Sequence, residues 1–473
     1  MKKISVLLTI FVLLTLVISA CAPKATEVVQ EPTEEVVVEE PTEEVVVEEP
    51  TEEVVVEEPT EEEMMTLDVT IDFWHVYSDA PGEALQGLID RFNAENEYGI
   101  TVAGFNQGNY GDVEDKFNAG IQSGDLPDVV MAYTNVLTDW YSVDSILDLT
   151  PFVEDADYGL TEDEMADLYP FLRAAGSTPD GAWVAYPMTQ SANVLVYNYT
   201  WAEELGFTAA PATSEELKEQ VCAAAAANAE LGADFEGTGG LVYYPSATNY
   251  LHFLYAFGGD ELNDDMTAYD FNTPEAVAAA MFILDLKENG CVWQTESYPN
   301  PEQAQRKALI TMSSTAGLPY YEAAFEDEAN DDAWGFIAAP GPDGTLAVDA
   351  FQQMLGVVPS TYEEELASWL FVKWLTSPAI QADWIRASGY YGTQYSTEAL
   401  IEDYLAENPV WAEGVALAAI GPAEPQTFPA WTSVRSAVGD AAAELWNAAT
   451  EDEVVSILDT LTMTANDLVE EIQ

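Results

Sequence analysis

The chain has 473 residues, 48% hydrophobic and 11% aromatic, which is too long for one hydrophobic core and far from a disordered composition. Its formal net charge of −72 excludes nucleic acid and an anionic membrane surface as attractive partners. Seventeen of the 85 acids lie between Glu27 and Glu63 and three of the 13 bases precede residue 25, so the remainder keeps 68 acids against ten bases. A saline habitat and a general solubility role account for such a surface equally well.

Lys2 and Lys3 precede a mostly apolar run, Ile4 to Ala20, the pattern of a secretory signal over residues 1–20. The run ends in Ile18-Ser19-Ala20-Cys21, which resembles a bacterial lipobox; that resemblance implies cleavage, lipidation of Cys21 and an extracytoplasmic protein anchored to the cell membrane. Three copies of EPTEEVVVE (31–57) and a broken fourth follow. Proline in every copy and charge at nearly half the positions predict a disordered, self-repelling tether over residues 21–65. Its reach at full extension is about 150 Å.

Leu67 to Tyr77 alternates and then breaks pattern at Trp74-His75-Val76-Tyr77, a strand with large polar-tipped groups at its end. A helix (Pro81–Asn96), a strand (Ile100–Phe105), a helix aligning Val113, Phe117 and Ile121, and a strand (Asp128–Tyr133) follow. This alternation predicts α/β architecture with a parallel, doubly wound sheet, in which ligands sit beyond the carboxyl ends of strands. Three clusters fall there: Trp74, His75 and Tyr77; Asn106 to Tyr110; and Tyr133, Thr134 and Asn135.

Tyr186 to Asn198 reads as a buried strand interrupted by Thr189, Gln190 and Ser191, where packing alone would prefer apolar side chains. Such a stretch suits a crossover between two lobes with a polar cleft at the crossing. Thr213 and Glu216 form a capping box opening a helix through Cys222. GLVYYPSATNY (240–250) is a strand and an aromatic–polar turn, followed by a helix ending at Gly258-Gly259. Thr273-Pro274 opens the next helix and Gly290 ends it. ALITMS (308–313) runs into Ser313-Ser314-Thr315, a second crossover candidate. DAWGFIAAP and QMLGVVPS are strands with Asp349–Gln352 between them, and the last hundred residues are helical, with Leu366, Trp369, Leu370 and Trp374 on one face.

His252 reads as a packed residue and the acid-rich stretch Asp260–Asp270 as a solvated loop. No HExxH, GxSxG or Walker motif appears, and with 68 acids carboxylate pairs suited to glycosidase chemistry arise by chance and carry no weight. With Cys21 lipidated, Cys222 and Cys291 are the remaining cysteines in an oxidising space, and a disulfide is expected; two buried free thiols are the alternative.

From about Asp68 onward the chain resembles the extracellular solute-binding proteins (family 1) of carbohydrate-importing ABC transporters, near the glycerol-phosphate-binding group. The matching stretches are IDFWHVY (71–77), RFNAEN (91–96), NYGDVEDKFNAGIQSGDLPDVV (109–130), YPMTQSANVLVYN (186–198), FNTPEAVAAAMFILDL (271–286), ALITMSSTAGL (308–318) and WLFVKWLTSPAIQADWIRASGYY (369–391). The resemblance implies a two-lobed periplasmic-binding-protein fold of type II, each lobe a doubly wound sheet, with a helical C-terminal part. Residues 66–187 plus 313–357 would form the N-terminal lobe and 188–312 plus 358–473 the C-terminal lobe. The lobes would exchange near Pro187–Ser191, Met312–Ser314 and Leu355–Ser360. It further implies a monomer that is no enzyme and needs no cofactor, capturing a sugar or oligosaccharide and delivering it to ABC permease subunits.

Carried over by position, the implied contacts are Trp74, His75, Tyr110, Thr134, Gln190, Ser191, Tyr244, Ser246, Ser313, Ser314, Phe351, Gln352 and Tyr390, with Trp431 as either a stacking platform or a packed residue. None is Lys or Arg, which points to a neutral sugar over a glycerol phosphate; Arg386 and Arg435 are the two nearby cations. The chain departs from the family pattern at Arg306, where glycine is usual, and at Tyr391-Gly392, where proline is expected. The rival classes are a surface carbohydrate-active enzyme and a sugar sensor or adhesin that does not transport.

Overall fold

The computed structural model describes residues 66–178, 181–295, 298–418 and 424–471. The expected signal, lipidation site and repeat tether lie outside these residues.

The first half alternates as its patterning dictates: β1 (Thr70–His75), α1 (Asp79–Glu95), β2 (Thr101–Asn106), α2 (Tyr110–Ser123), β3 (Val129–Ala132) and α3 (Thr134–Tyr141). Ile71 and Phe73 of β1 point inward while Thr70 and Asp72 face water. β1 pairs in parallel with both β2 and β3. Helix α2 opens on a capping box between Asn109 and Asp112 and ends at Gly124, whose φ of 78° glycine adopts without steric cost.

β4 (Tyr186–Asn198) is a single unbroken strand of 13 residues, not two segments parted by a polar tripeptide. The polar side chains do not interrupt it because each finds a partner. Thr189 Oγ1 donates to the Tyr391 carbonyl at 3.0 Å and Gln190 Nε2 to the Gly392 carbonyl at 2.6 Å. Ser191 Oγ accepts from Gln353 Nε2 at 3.3 Å. A buried hydroxyl or amide that is hydrogen-bonded loses most of its desolvation penalty.

The second half supplies α4 (Ser214–Ala229), β5 (Gly239–Val242), α5 (Ala247–Ala256), α6 (Pro274–Glu288), β6 (Val292–Trp293), β7 (Ala308–Ser314) and β8 (Trp334–Ile337). Then come a small β9 (Ala339–Pro340) and β10 (Leu346–Ala347) ladder, β11 (Asp349–Val357), and four principal helices: α7 (Tyr362–Leu375), α8 (Pro378–Ser388), α9 (Trp431–Leu445) and α10 (Glu451–Glu471). Asp349–Gln352, expected as a connection, is thus part of β11. At α4 only half of the expected capping box forms. Thr213 Oγ1 accepts from the Glu216 amide at 3.3 Å, but the Glu216 carboxylate takes the Ala212 amide at 2.8 Å.

Among the described residues, nine strands make one mixed sheet in the order β2-β1-β3-β11-β4-β7-β5-β6, with β8 also paired to β4. Two parallel wings, β2-β1-β3 and β7-β5-β6, are therefore joined by antiparallel β11 and β4. Separate doubly wound sheets were the expectation. The length of β4 and β11 carries the ladder across instead.

Two large cores flank this junction. One gathers Ile71, Phe73 and Val129 with Trp369, Phe371 and Trp384, so α7 and α8 cover the β1–β3 wing. The Phe371 ring meets Phe73 at 5.5 Å and Phe92 at 5.2 Å, both edge-on. The other joins Leu195, Leu241 and Ile310 with Trp431, Val438 and Leu458, so α9 and α10 cover the β5–β7 wing. Thus α7 and α8 share a core with residues of β1 to β3, and α9 and α10 with residues of β5 to β7.

Cys222 of α4 and Cys291, just past α6, are joined by a disulfide with Cα atoms 4.6 Å apart. Arg306, standing where glycine is usual, adopts a left-handed φ of 56°. The strain of that conformation is offset by its guanidinium, which pairs with Asp332 at 2.5 Å and Glu204 at 2.7 Å.

Candidate functional site

A cavity of about 500 Å³ opens beyond the carboxyl end of β3, where sheet geometry leaves loops and helix starts free to carry side chains. Each wall has a local cause. Tyr110 is the first residue of α2, Tyr133 the N-cap of α3, and Asn135 lies in the first turn of α3. Ser246 is the N-cap of α5, accepting the Asn249 amide at 3.3 Å. Thr432, Arg435, Ser436 and Gly439 recur at the spacing of one helical face and present α9 to the cavity. The opposite face of α9, with Val434, Val438 and Leu445, is buried in the core.

The walls are aromatic and polar by turns. Tyr110 and Tyr133 have ring centroids 4.4 Å apart, and Tyr133 lies 6.3 Å from Phe351. Burial raises the Tyr110 hydroxyl well above its usual range and pushes Tyr133 up to about 12, so both remain neutral donors at physiological pH. Across the mouth, Asn135 Nδ2 donates to Thr432 Oγ1 at 2.7 Å, and that hydroxyl donates to Asp139 at 2.6 Å. Burial raises the Asp139 carboxyl, and the Thr432 bond opposes the shift.

The charged groups on the lining are Glu114, Glu424 and Arg435. Burial, then Asp139, raises the Glu114 carboxyl above its ordinary value. Arg435 Nε donates to Glu424 Oε2 at 2.6 Å and its Nη2 to Thr248 Oγ1 at 2.7 Å. Burial opposes the guanidinium charge, but Glu424 more than compensates and holds it charged.

Of the fourteen implied contacts, Tyr110, Ser246 and Phe351 line this cavity. Thr134 is fully buried beside it, at the start of α3. Trp431 directs its ring inward, 1% exposed, and donates through Nε1 to Glu424 at 3.1 Å, so it packs and positions. The others lie elsewhere. Trp74 packs against the core of α2, and His75 is buried 5.5 Å from the Phe73 ring, where desolvation lowers its pKa to about 4. The Tyr390 ring stacks on Trp384 at 6.2 Å and meets Tyr77 edge-on at 5.6 Å. Gln190 lines a second, more apolar cavity of about 380 Å³ with Tyr391 and Trp411. Ser191 and Gln352 are buried in the β4–β11 ladder. The Tyr244 hydroxyl donates to the Thr295 carbonyl at 2.7 Å, Ser313 Oγ to the Ser314 carbonyl at 3.3 Å, and Ser314 Oγ accepts the Ala316 amide at 3.2 Å.

Glu114, Glu424 and Thr432 were not among those positions. Only helical spacing from Arg435 could have flagged Thr432; nothing local marks Glu424. His252 is a packed residue, as its apolar neighbours suggested: its Nε2 meets the Ala347 carbonyl at 2.9 Å and its Nδ1 the Asn193 amide at 3.0 Å. Among the described residues no cluster of three metal-ligating side chains occurs, and no helix is long and apolar enough to cross a membrane.

No curated protein sequence is significantly similar to the chain. Solved structures share its fold. The cyclic α-maltosyl-1,6-maltose binding protein from Arthrobacter globiformis is 22% identical, with 85% of this chain and 99% of that one covered at a TM-score of 0.69. The GacH receptor of Streptomyces glaucescens is 19% identical over 85% and 98% of the two chains, TM-score 0.72. UgpB from Mycobacterium tuberculosis, solved with glycerophosphocholine, is 20% identical over 85% and 99%, TM-score 0.70. The sequence profile described as bacterial extracellular solute-binding protein matches residues 87–419. With that profile spanning most of the chain, over a fold shared with ligand receptors, the protein belongs to the bacterial extracellular solute-binding protein family, whose members are transport receptors and not enzymes.

Proposed function

We propose that the protein captures a neutral sugar or oligosaccharide in the cavity between α3 and α9 and delivers it to an ABC permease. In this reading the two wings of the sheet belong to two lobes that exchange near Pro187–Ser191, Met312–Ser314 and Leu355–Ser360. Lipidated Cys21 and the acidic tether hold them at the outer face of the membrane. Closure favours the liganded state because only there do α3 and α9 contact the ligand together.

The observation that carries the neutral-ligand reading is the Arg435–Glu424 pair. Arg435 turns inward, but its charge is matched at 2.6 Å. Arg386, the other candidate cation, faces Asp403 and the Leu400 carbonyl. An anion entering this cavity meets no unpaired cation among the described lining residues, and desolvating it uncompensated is costly. Aromatic rings, amides and hydroxyls suit the apolar faces and hydroxyl rims of a sugar. The cyclic α-maltosyl-1,6-maltose binding protein that shares this fold supports the same class.

Calorimetry against a panel of neutral mono- and oligosaccharides tests it. A binder should emerge, and Phe351→Ala or Tyr110→Ala should weaken it by about 1 kcal/mol, roughly fivefold. Tight binding of glycerol phosphate or its diesters, with no response to any neutral saccharide, overturns the assignment.

A further inference from the structure

Glu424 and Asp349 make an unusual setting for Arg435, the one arginine among the described lining residues. Glu424 is 5% exposed and Asp349 fully buried. Glu424 Oε2 takes both Arg435 Nε, at 2.6 Å, and Trp431 Nε1, at 3.1 Å. Asp349 lies within hydrogen-bond reach of Glu424, and no N–H or O–H of any other described residue meets Glu424 Oε1 or either Asp349 oxygen. A buried carboxylate so poor in donors is retained at a cost in stability, and that cost calls for a reason. Arg435 meanwhile commits two of its five N–H groups, one to Glu424 and one to Thr248. Three are left for a ligand on a guanidinium whose charge is already matched.

We propose that Glu424, backed by Asp349, is the charge-selectivity determinant of this cavity. It cancels Arg435, so that the arginine serves hydroxyl groups and acidic saccharides are turned away. The proposal rests on the sugar-receptor reading and deepens it by naming what the site rejects. Asp349 is the reserve. Burial, then the neighbouring Glu424 charge, raises its carboxyl well above its ordinary value, with Arg435 acting in the opposite direction and Glu261 adding to the shift. Removing Glu424 lifts one of the causes of that shift, and Asp349 then partly replaces the lost counter-charge.

The test uses the full chain and inorganic sulfate, a probe whose charge is constant across the working pH range and which is not a sugar. Wild type should show no calorimetric response to sulfate. Glu424→Gln/Asp349→Asn, shown to be folded by near-ultraviolet circular dichroism, should bind it about tenfold or more tighter, with an affinity that falls as salt rises. Arg435→Gln in that background should abolish the response. Glu424→Gln alone should bind to an intermediate degree, because Asp349 ionises only against its burial; it decides the matter should the double variant fail to fold. Absence of sulfate binding in the folded variants, or equal binding by wild type, overturns the proposal. Failure of the sugar panel leaves the sulfate result standing, so the two readings fail separately. With a sugar identified, the double variant should also shift preference from that sugar toward its uronic acid counterpart by about tenfold.

Discussion

Replacing Cys222 and Cys291 together by serine is expected to lower the unfolding free energy by roughly 4 kcal/mol in the chain-entropy description of a cross-link. The bond closes a loop with a sequence separation of 69 residues, long enough for the entropy it removes from the unfolded chain to be large. Its native side is tightly set. α4 and the start of β6 press on β5 so closely that a Cβ at Gly240 would lie 1.9 Å from the Cys291 carbonyl oxygen. Urea titration should give a lower midpoint for the variant, and reductant should bring wild type to the same value. Ligand affinity should not change, since neither cysteine lines the cavity. Equal midpoints for the variant and oxidised wild type would refute this account.

The second large effect concerns pH. Burial pushes the Glu261 carboxyl from 4.5 up to about 8, while the Tyr255 hydroxyl donates to it. The unfolded chain therefore loses this proton near pH 4.5 and the folded chain only near 8, so the group's contribution is intact below 4.5 and is lost as pH rises through 8. At about 1.4 kcal/mol per unit, the loss amounts to several kcal/mol by pH 8. His75 and His252 act in the opposite direction, for burial lowers both to about 4. Their contribution is whole above 6.5 and fades as pH falls through 4. Below 6.5 the two histidines outweigh the one carboxyl and above it the carboxyl acts alone, so thermal melts should show maximal stability near pH 6.5. Glu261→Gln, which keeps an acceptor for Tyr255, should raise the melting temperature at pH 8 and change it little at pH 4.5. A wild type whose stability climbs steadily from about pH 6.5 to 8 would contradict the Glu261 assignment.

How much of this was legible follows from what kind of interaction fixes each element. Strands and helices from Thr70 to Ala132 were readable because alternation and helical spacing are local, and the Thr273-Pro274 helix start announced itself by cap chemistry, whereas α5 begins at Ala247, inside the stretch expected as a turn. Continuity of β4 was not readable. Its polar triplet is satisfied by Tyr391, Gly392 and Gln353, which lie more than 160 positions away. The same limit governs the site. Tyr110 and Ser246 stand at helix starts, whereas Phe351 lies inside β11, in a stretch expected as a connection, and Glu424 becomes informative only through Arg435 and Asp349. His75 and Tyr390, both implied by family position, pack against the rings of Phe73, Tyr77 and Trp384 and do not line this cavity.

The place of β11 has a consequence for how the chain is made. It lies between β3 and β4, pairing Val129–Ala132 on one side and Tyr186–Asn193 on the other. Growth from the N-terminus therefore leaves β3 with an open edge until residue 357 has appeared, and α7 and α8, which cover that wing, come later still. Non-local closure of this kind is slow, because the loop entropy must be met before the contacts reward it. A chain that stops short of residue 357 therefore leaves open edges on both β3 and β4, and the two wings of the sheet are joined only when β11 is in place.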